Sequence, residues 1–514
     1  MTPRFSRRTF LQHASLATFS LWLPKSYAAG TPASLPRSTP EAQGMFSQGI
    51  LDFLAAAEKE KFELHSLMVL RHGHVVAEGW WEPYGPDLVH TMYSMSKSFT
   101  STAVGFAVAE GKLTVKDKVV SFFPDDLPEK ISENLAAMTV QDLLTMSTGN
   151  EKEPTQPVVK SENWVRAFLA QTIAHKPGTR FMYNSAATYM CSAIVQKVTG
   201  QTIIDYLTPR LFQPLGISGM RWETCPLGIN TGGWGLSIQT EGLAKFGQLL
   251  LQKGKWSDKQ LLPAAWVEEA TRFHIQQPGD DKPDRPKAQN DWLQGYGYQF
   301  WRCQHGNFRG DGAFGQFTIV LPEQDAVIVM TSENKNMQGQ LDLVWKHLLP
   351  AFDAPVAEGS KRTFSLKLDP PRGSKTSPAA KNRTFKLDAN DLGLKIASFV
   401  FNDDTCVFTA DDHSLTCGME SWHRGEAAFP GTPPRLISGG KPKNTPNSKI
   451  AASATWTDEN TLVMTWRYYE TPHSDTVACK FEGDGVTITF LNSITAMNPK
   501  AKDVRAALKG KAVG

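Results

Sequence analysis

The chain lacks the two features that most often place a protein in a membrane or on a nucleic acid: a bilayer-spanning apolar run and an excess of one charge. No uninterrupted apolar run reaches the ~20 residues that a spanning helix needs, and the ten-residue run from Ala14 to Leu23 is too short to span a bilayer. The 54 basic and 51 acidic residues nearly cancel over 514 positions. Residues 1–28 hold Arg4, Arg7, Arg8 and Lys25 and no acid, so the remainder carries 50 bases against 51 acids, a net of −1. A near-neutral body has no electrostatic footprint for nucleic acid and points to a small or neutral substrate. Solenoid repeats, with their periods of about 20–50 residues, are absent. The six cysteines (Cys191, Cys225, Cys303, Cys406, Cys417, Cys479) show neither C-x-x-C nor zinc spacing. No metal centre, no cofactor and no catalytic cysteine is expected. Cys406 and Cys417 either pair across a hairpin or stand as single buried thiols. At 41% hydrophobic and 20% charged, the composition excludes disorder and collagen-like fibre.

What is present begins with an export signature. Ser6-Arg7-Arg8-Thr9-Phe10-Leu11 forms a twin-arginine box. An uncharged, apolar run from Ala14 to Leu23 follows, then Ser26-Tyr27-Ala28 in the small-x-small pattern of a cleavage site. Residues 1–28 are therefore predicted to be a twin-arginine signal peptide, with an ordinary amphipathic N-terminal helix as the other reading. The expected partner is the twin-arginine export machinery, the expected destination the periplasm or the exterior. The mature protein is expected to have no membrane span. Such substrates cross already folded, so no disulfide should be obligatory.

Residues 45–352 mix helical and strand patterns. Ile50, Phe53, Leu54 and Ala57 form an i, i+3, i+4, i+7 stripe that predicts a surface helix over Gly49 to Lys61. Leu67 to Leu70 and Val75 to Ala77 flank Arg71-His72-Gly73-His74, a strand–turn–strand signature. The same turn explains His72 and His74 without a metal, since no third ligand is near in sequence. Thr318 to Val329 reads as a second strand pair, broken at Pro322-Glu323-Gln324-Asp325. Strands at both ends of a helical middle predict an α+β architecture. Residues 353–383 carry Pro355, Pro370, Pro371 and Pro378 in a basic, Ser- and Lys-containing stretch and read as a linker. Residues 384–514 read as a small antiparallel β domain, barrel-like, with Gly483-Asp484-Gly485 as one of its turns.

Three short segments carry candidate chemistry. Ser94-Met95-Ser96-Lys97 is an S-x-x-K motif, but Ser332 to Lys335 and Ser438 to Lys441 match it equally. Only Ser94 opens a helix: Phe99, Ala103, Phe106 and Ala107 follow at helical spacing, and Gly111 stops it. A serine and a lysine three residues apart share one helix face. A desolvated lysine there can lose its proton and accept one from the hydroxyl. A capping Ser94 with a solvated Lys97 is the alternative. In the second segment, Pro177 to Ser185, Tyr183 and Ser185 lie two residues apart on a turn that leads into a helix ended by Gly200. A phenolate stabilised by a nearby lysine is a competent general base. The third, Arg309 to Gln316, is Gly-rich and precedes a strand, which lets the backbone approach a substrate and offer an N–H.

The order Ser94-x-x-Lys97, Tyr183-x-Ser185, Gly310-Asp311-Gly312 resembles the penicillin-recognising serine hydrolases: class C β-lactamases, DD-peptidases, related esterases and 6-aminohexanoate-dimer hydrolases. Connecting text agrees, including Ala109 to Leu113, Thr139 to Gly149, Gly232 to Ser237 and Ala244 to Trp256. The resemblance implies a β-lactamase/DD-peptidase-like domain, an antiparallel sheet flanked by helices with a helical subdomain. It makes Ser94 the acylated nucleophile, Lys97 its proton-managing partner and Tyr183 the general base and leaving-group acid. The N–H groups of Ser94 and Ala313 become the oxyanion hole, and Ser185, Asp311 and Gly312 become substrate-binding. Two departures stand out. Ser185 replaces the asparagine of Y-x-N, and Gly310-Asp311-Gly312 replaces K-T-G. An aspartate where a β-lactam carboxylate would sit repels it by about 1–4 kcal/mol at ~4 Å. An ester or linear amide is therefore the expected substrate. β-Lactamase or DD-peptidase activity, or a non-catalytic binder on the same fold, remain the alternatives.

Overall fold

The computed structural model describes residues 34–282, 284–355, 364–437, 447–498 and 500–513. The twin-arginine box, its cleavage pattern and the Ser438 match to S-x-x-K lie outside these residues.

The predicted strand–turn–strand is a two-residue hairpin of β1 (Leu64–Arg71) and β2 (His74–Trp80). His72 and Gly73 make its turn at φ 50° and 74°, the left-handed values that such a turn needs at both central positions. The predicted surface helix is α1 (Ser47–Lys59), which buries the expected Ile50, Phe53, Leu54 and Ala57. The rest of the first domain is organised by α2 (Ser96–Ala109), α3 (Ser185–Thr199), α4 (Thr240–Leu251) and four further strands. These are β3 (Trp301–Arg302), β4 (Phe308–Gly312), β5 (Gln316–Leu321) and β6 (Ala326–Ser332). The sheet runs β2-β1-β6-β5-β4-β3 and is antiparallel throughout.

Side chains alternate across this sheet, as the two-residue period of a strand requires. Leu67, Val69, Phe317, Ile319, Ile328 and Met330 pack against α1 and Leu341, Val344 and Leu348. Met68, Leu70, Val320, Val327 and Val329 face the opposite way, into a core shared with α2, α3, α4 and the helical subdomain. Both faces are covered, so the central strands read as unbroken apolar runs. A Cβ on Gly247 of α4 would come within 2.5 Å of Val327, so only glycine lets that helix lie so close. The α2 helix is buried on every side from Ser96 to Ala107, as befits one that runs through the centre. The α+β expectation, with helices flanking the sheet, is met.

The second domain is a ten-stranded sheet from Arg383–Leu387 to Leu508–Ala512. A parallel pairing, Gly418 with Ser453 and Met419 with Ala454, closes it into a barrel around Phe385, Phe399, Phe408, Trp456, Trp466 and Phe481. Cys406 and Cys417 sit directly opposite each other on neighbouring strands as free, buried thiols. The stretch read as a linker is stitched to both domains. Phe364 and Leu366 enter the first core, the Leu368 N–H donates to the Glu82 carbonyl at 2.9 Å, and Ser374 N–H donates to Trp456 O at 2.9 Å. Its apolar residues alternate with polar ones, which lets it lie like a strand despite its prolines.

The barrel sends the turn between Tyr468 and Ser474 into the first domain. Tyr84 Oη donates to the Thr471 carbonyl at 3.0 Å, and Arg467 pairs with Glu63 at 2.5 Å. Against burial, which pushes it up, Arg467 and His65 hold the Glu63 carboxyl at about 2.

Candidate active site

Residues Tyr93–Met95 form a tight 3-10 turn that leads directly into α2, with Ser94 half-buried at its centre. Three residues on, Lys97 is 1% exposed. Its Nζ donates to Ser94 Oγ at 2.9 Å, to Ser185 Oγ at 3.0 Å and to the Gly233 carbonyl at 2.7 Å. Burial pushes the Lys97 ammonium down to about 7, against the pull of the Glu153 and Asp311 carboxylates. The lysine is thus poised to exchange a proton near neutral pH. Gly233 reaches it because a Cβ there would fall 2.6 Å from the Ser185 carbonyl; only a glycine lets this segment press so closely on α3.

The Tyr183–Ser185 segment is set by the cap of α3. Asn184 Oδ1 accepts the Ala187 N–H at 3.0 Å, while its Nδ2 donates to Thr148 Oγ1 and Asn150 Oδ1, each at 3.2 Å. Ser185 begins the helix, and its N–H donates to Glu153 Oε1 at 3.1 Å. Just before the cap, Tyr183 lies between a cation and a ring. Lys97 Nζ is 4.8 Å from its centroid, and Trp301 stacks on it at 5.5 Å and 23°. Among the influences on its phenol, burial is the largest, and the nearby Ser94 side chain pulls down against it. Burial raises the phenol well above its usual range, so it stays protonated at neutral pH.

Strand β4 runs alongside the Ser94 turn at backbone contact. A Cβ on Gly310 would be 2.3 Å from Met95 Sδ, and one on Gly312 would be 2.2 Å from the Met92 carbonyl. Between these glycines Asp311 is 8% exposed and accepts from Arg309 Nε at 2.9 Å. Burial raises the Asp311 carboxyl to about 6 even with that guanidinium beside it. The charge expected to repel an anionic substrate is therefore answered within the strand. Arg309 is itself fully buried over Trp292, 4.6 Å from its ring centroid. Ala313 follows at the start of the turn into β5, ahead of Phe314 and Gly315 at φ 67° and 91°.

Ser94, Lys97, Tyr183 and Ser185 converge on one point, with Asp311 and Gly312 on the adjoining strand and Ala313 in the turn that follows it. Ser332, the other described S-x-x-K serine, ends β6 and donates to the Phe314 and Gly315 carbonyls at 2.7 and 2.9 Å. Sequence reasoning missed the Gly233 carbonyl, Glu153, Trp301 and Arg309. Gly232-Gly233 carried a signal, as paired glycines before an apolar strand. Glu153 carried none, because its role depends on a helix start 32 residues later in the chain. A cavity of about 290 Å³ lies beside the site at the domain junction, lined by Tyr93, Trp222, Glu223, Trp234 and Arg435.

A family model described as Beta-lactamase matches residues 55–348. The 6-aminohexanoate-dimer hydrolase of Paenarthrobacter ureafaciens is 26% identical over 290 residues, which are 52% of this chain and 72% of that protein. Protein flp of Staphylococcus aureus is 27% identical over 136 residues, 25% of this chain and 27% of that protein. A Bacillus anthracis structure, provisionally named a 6-aminohexanoate-dimer hydrolase, shares the fold at a TM-score of 0.51 and 19% identity. It is matched over 62% of this chain and 87% of its own.

Proposed function

Because the chain belongs to the Beta-lactamase family of serine hydrolases, we propose that it is an exported hydrolase that cleaves an ester or linear amide through an acyl-enzyme on Ser94. The observation that carries this reading is the Lys97 Nζ, buried and 2.9 Å from Ser94 Oγ.

Near pH 7 a fraction of Lys97 is the free amine. As Ser94 Oγ bonds to the substrate carbonyl carbon, its proton passes to Lys97 Nζ. The carbonyl π electrons move onto oxygen, and the Ser94 and Ala313 N–H groups stabilise the oxyanion. Collapse breaks the bond to the leaving alkoxide or amine, which takes the Tyr183 phenolic proton. Tyr183 recovers a proton from Lys97, and water repeats the sequence on the acyl-enzyme. Tyr183 is kept protonated by its burial, so in this scheme Lys97 is the resident base and Tyr183 the leaving-group acid. This divides the two roles first assigned to Tyr183.

A linear substrate is favoured over a β-lactam by two features. Gly310 and Asp311 leave no cation where the family's K-T-G lysine would stand, and Met95 fills the space where the Gly310 side chain would begin. The relative from Paenarthrobacter ureafaciens is named for a linear amide dimer. Export rests on the twin-arginine box, with periplasm or exterior as the destination.

The test is a fluorophosphonate probe with intact-mass readout, beside turnover of p-nitrophenyl acetate, a linear amide and a chromogenic cephalosporin. Wild type should take up one probe on Ser94 and hydrolyse the ester or amide; Ser94→Ala should do neither. Labelling elsewhere, or turnover that survives Ser94→Ala, overturns the assignment. Preferential cleavage of the cephalosporin overturns the substrate class.

A further inference from the structure

Both N–H groups of the oxyanion hole proposed above are flanked by bulky residues in left-handed backbone. Tyr93, immediately before Ser94, has φ 48°; Phe314, immediately after Ala313, has φ 67°. Side chains rarely adopt this conformation, and it persists only where the surroundings over-determine it. Phe314 is held partly from its own domain, its carbonyl accepting the Asn334 N–H at 2.9 Å and Ser332 Oγ at 2.7 Å. Tyr93 is held from the other domain. Its hydroxyl hydrogen-bonds to Nε2 of His473, which lies on the barrel's turn between Tyr468 and Ser474.

His473 is fully buried and clamped on its far side. Its Nδ1 lies 2.6 Å from Glu333 Oε1, which also accepts from Ser493 Oγ at 2.5 Å. A carboxylate only accepts, so Nδ1 carries the hydrogen and Nε2 is left to accept from the Tyr93 hydroxyl. The His473 ring also meets Phe314 edge-on at 4.9 Å, and Phe314 meets Tyr93 at 5.5 Å. One imidazole from the second domain thus touches the residues next to both N–H donors. Those donors sit on different elements, a helix start and a hairpin turn, so something must fix their separation.

We propose that His473 is a positioning residue for the oxyanion hole: the barrel braces the nucleophile turn and the β4–β5 turn through Tyr93 and Phe314. This rests on the reading of Ser94 as the nucleophile. It makes the C-terminal domain a part of the catalytic apparatus, acting through Tyr93 without touching substrate.

The experiment uses the full chain and p-nitrophenyl acetate. Disturbing the hole should remove stabilisation made only in the transition state. His473→Ala should lower kcat by about a hundredfold, with KM within about threefold of wild type. His473→Gln can still accept from Tyr93 and donate to Glu333, and should recover most of the loss. Tyr93→Phe keeps the ring and removes the hydroxyl; its loss should not add to that of His473→Ala in the double variant. If His473→Ala fails to fold, Tyr93→Phe alone decides, and a kcat within about threefold of wild type overturns the inference. So does a His473→Ala enzyme with unchanged kcat, or a loss that Gln does not relieve and that follows a fall in melting temperature. Ser94→Ala in the same assay separates the two readings. Turnover that survives it removes the nucleophile assignment, whereas its loss beside an intact His473→Ala removes only the bracing role.

Discussion

At the scale of single residues, the site is defined by what burial does to two adjacent protons. Lys97 is desolvated and pushed down to about 7, while Tyr183 is pushed the other way. Below pH 7 the lysine is an ammonium and cannot accept the serine proton; above it, the amine is available. The kcat/KM of an uncharged ester should therefore rise with pH through about 7 and then level off. Tyr183→Phe should keep that acid limb while lowering kcat by about two to four orders of magnitude. A pH–rate profile of both proteins checks this. A limb that vanishes with the phenol would make Tyr183 the titrating group. Ser94, Lys97 and Tyr183 could be singled out in the sequence through the family resemblance, whereas S-x-x-K alone occurs at two further places. The charge that answers Asp311 could not. Arg309 stands two residues away on the same strand, a spacing that reads equally well as two solvent-facing charges, and only the covering tryptophans turn the pair inward.

At the scale of elements, the helix start at Asn184 does more than cap. Its amide joins α3 to Thr148 and Asn150 of the preceding loop, and so holds Tyr183 and Ser185 on either side. Removing a cap costs about 1 kcal/mol, and each buried polar group left unpaired costs about 1–3 kcal/mol more. Asn184→Ala should therefore destabilise by about 2–4 kcal/mol and melt several degrees lower. Asn184→Asp keeps the acceptor, loses both donors and should fall between; thermal melts by circular dichroism give the ranking. An alanine variant that melts like wild type would mean the cap is replaceable. The elements themselves were readable where periodicity was strong, as in α1, the β1–β2 hairpin and the strand pair before and after Pro322. Within the stretch 353–383 read as a linker, the contacts of residues 364–374 were not legible, because proline punctuation outweighs the short alternation at Phe364, Leu366 and Leu368. A pattern of three apolar positions gains meaning only from the partners it meets.

At the scale of the whole molecule, the two domains share buried and half-buried polar contacts: Arg467 with Glu63, Tyr84 with Thr471, His473 with Tyr93 and Glu333. A chain ending after Asp353 should lose about as much turnover as His473→Ala, roughly a hundredfold, and be less soluble because Tyr84 and Phe314 become exposed. Expression of that fragment beside the full chain, assayed on the same ester, measures both. A soluble fragment with full kcat would make the barrel a passenger. No sequence pattern announces this dependence, because the turn that holds His473 carries no motif and its partners come from distant parts of the chain. Their distance has a consequence in time. The Tyr93–His473 bond joins residues 380 positions apart. At about 5–20 residues per second, a ribosome needs about 20–80 seconds to cover that interval. Through it the nascent chain carries Ser94, Lys97 and Tyr93 but not His473. On the bracing proposal, a chain that stops short of residue 473 should turn over the ester about a hundredfold more slowly than the finished one.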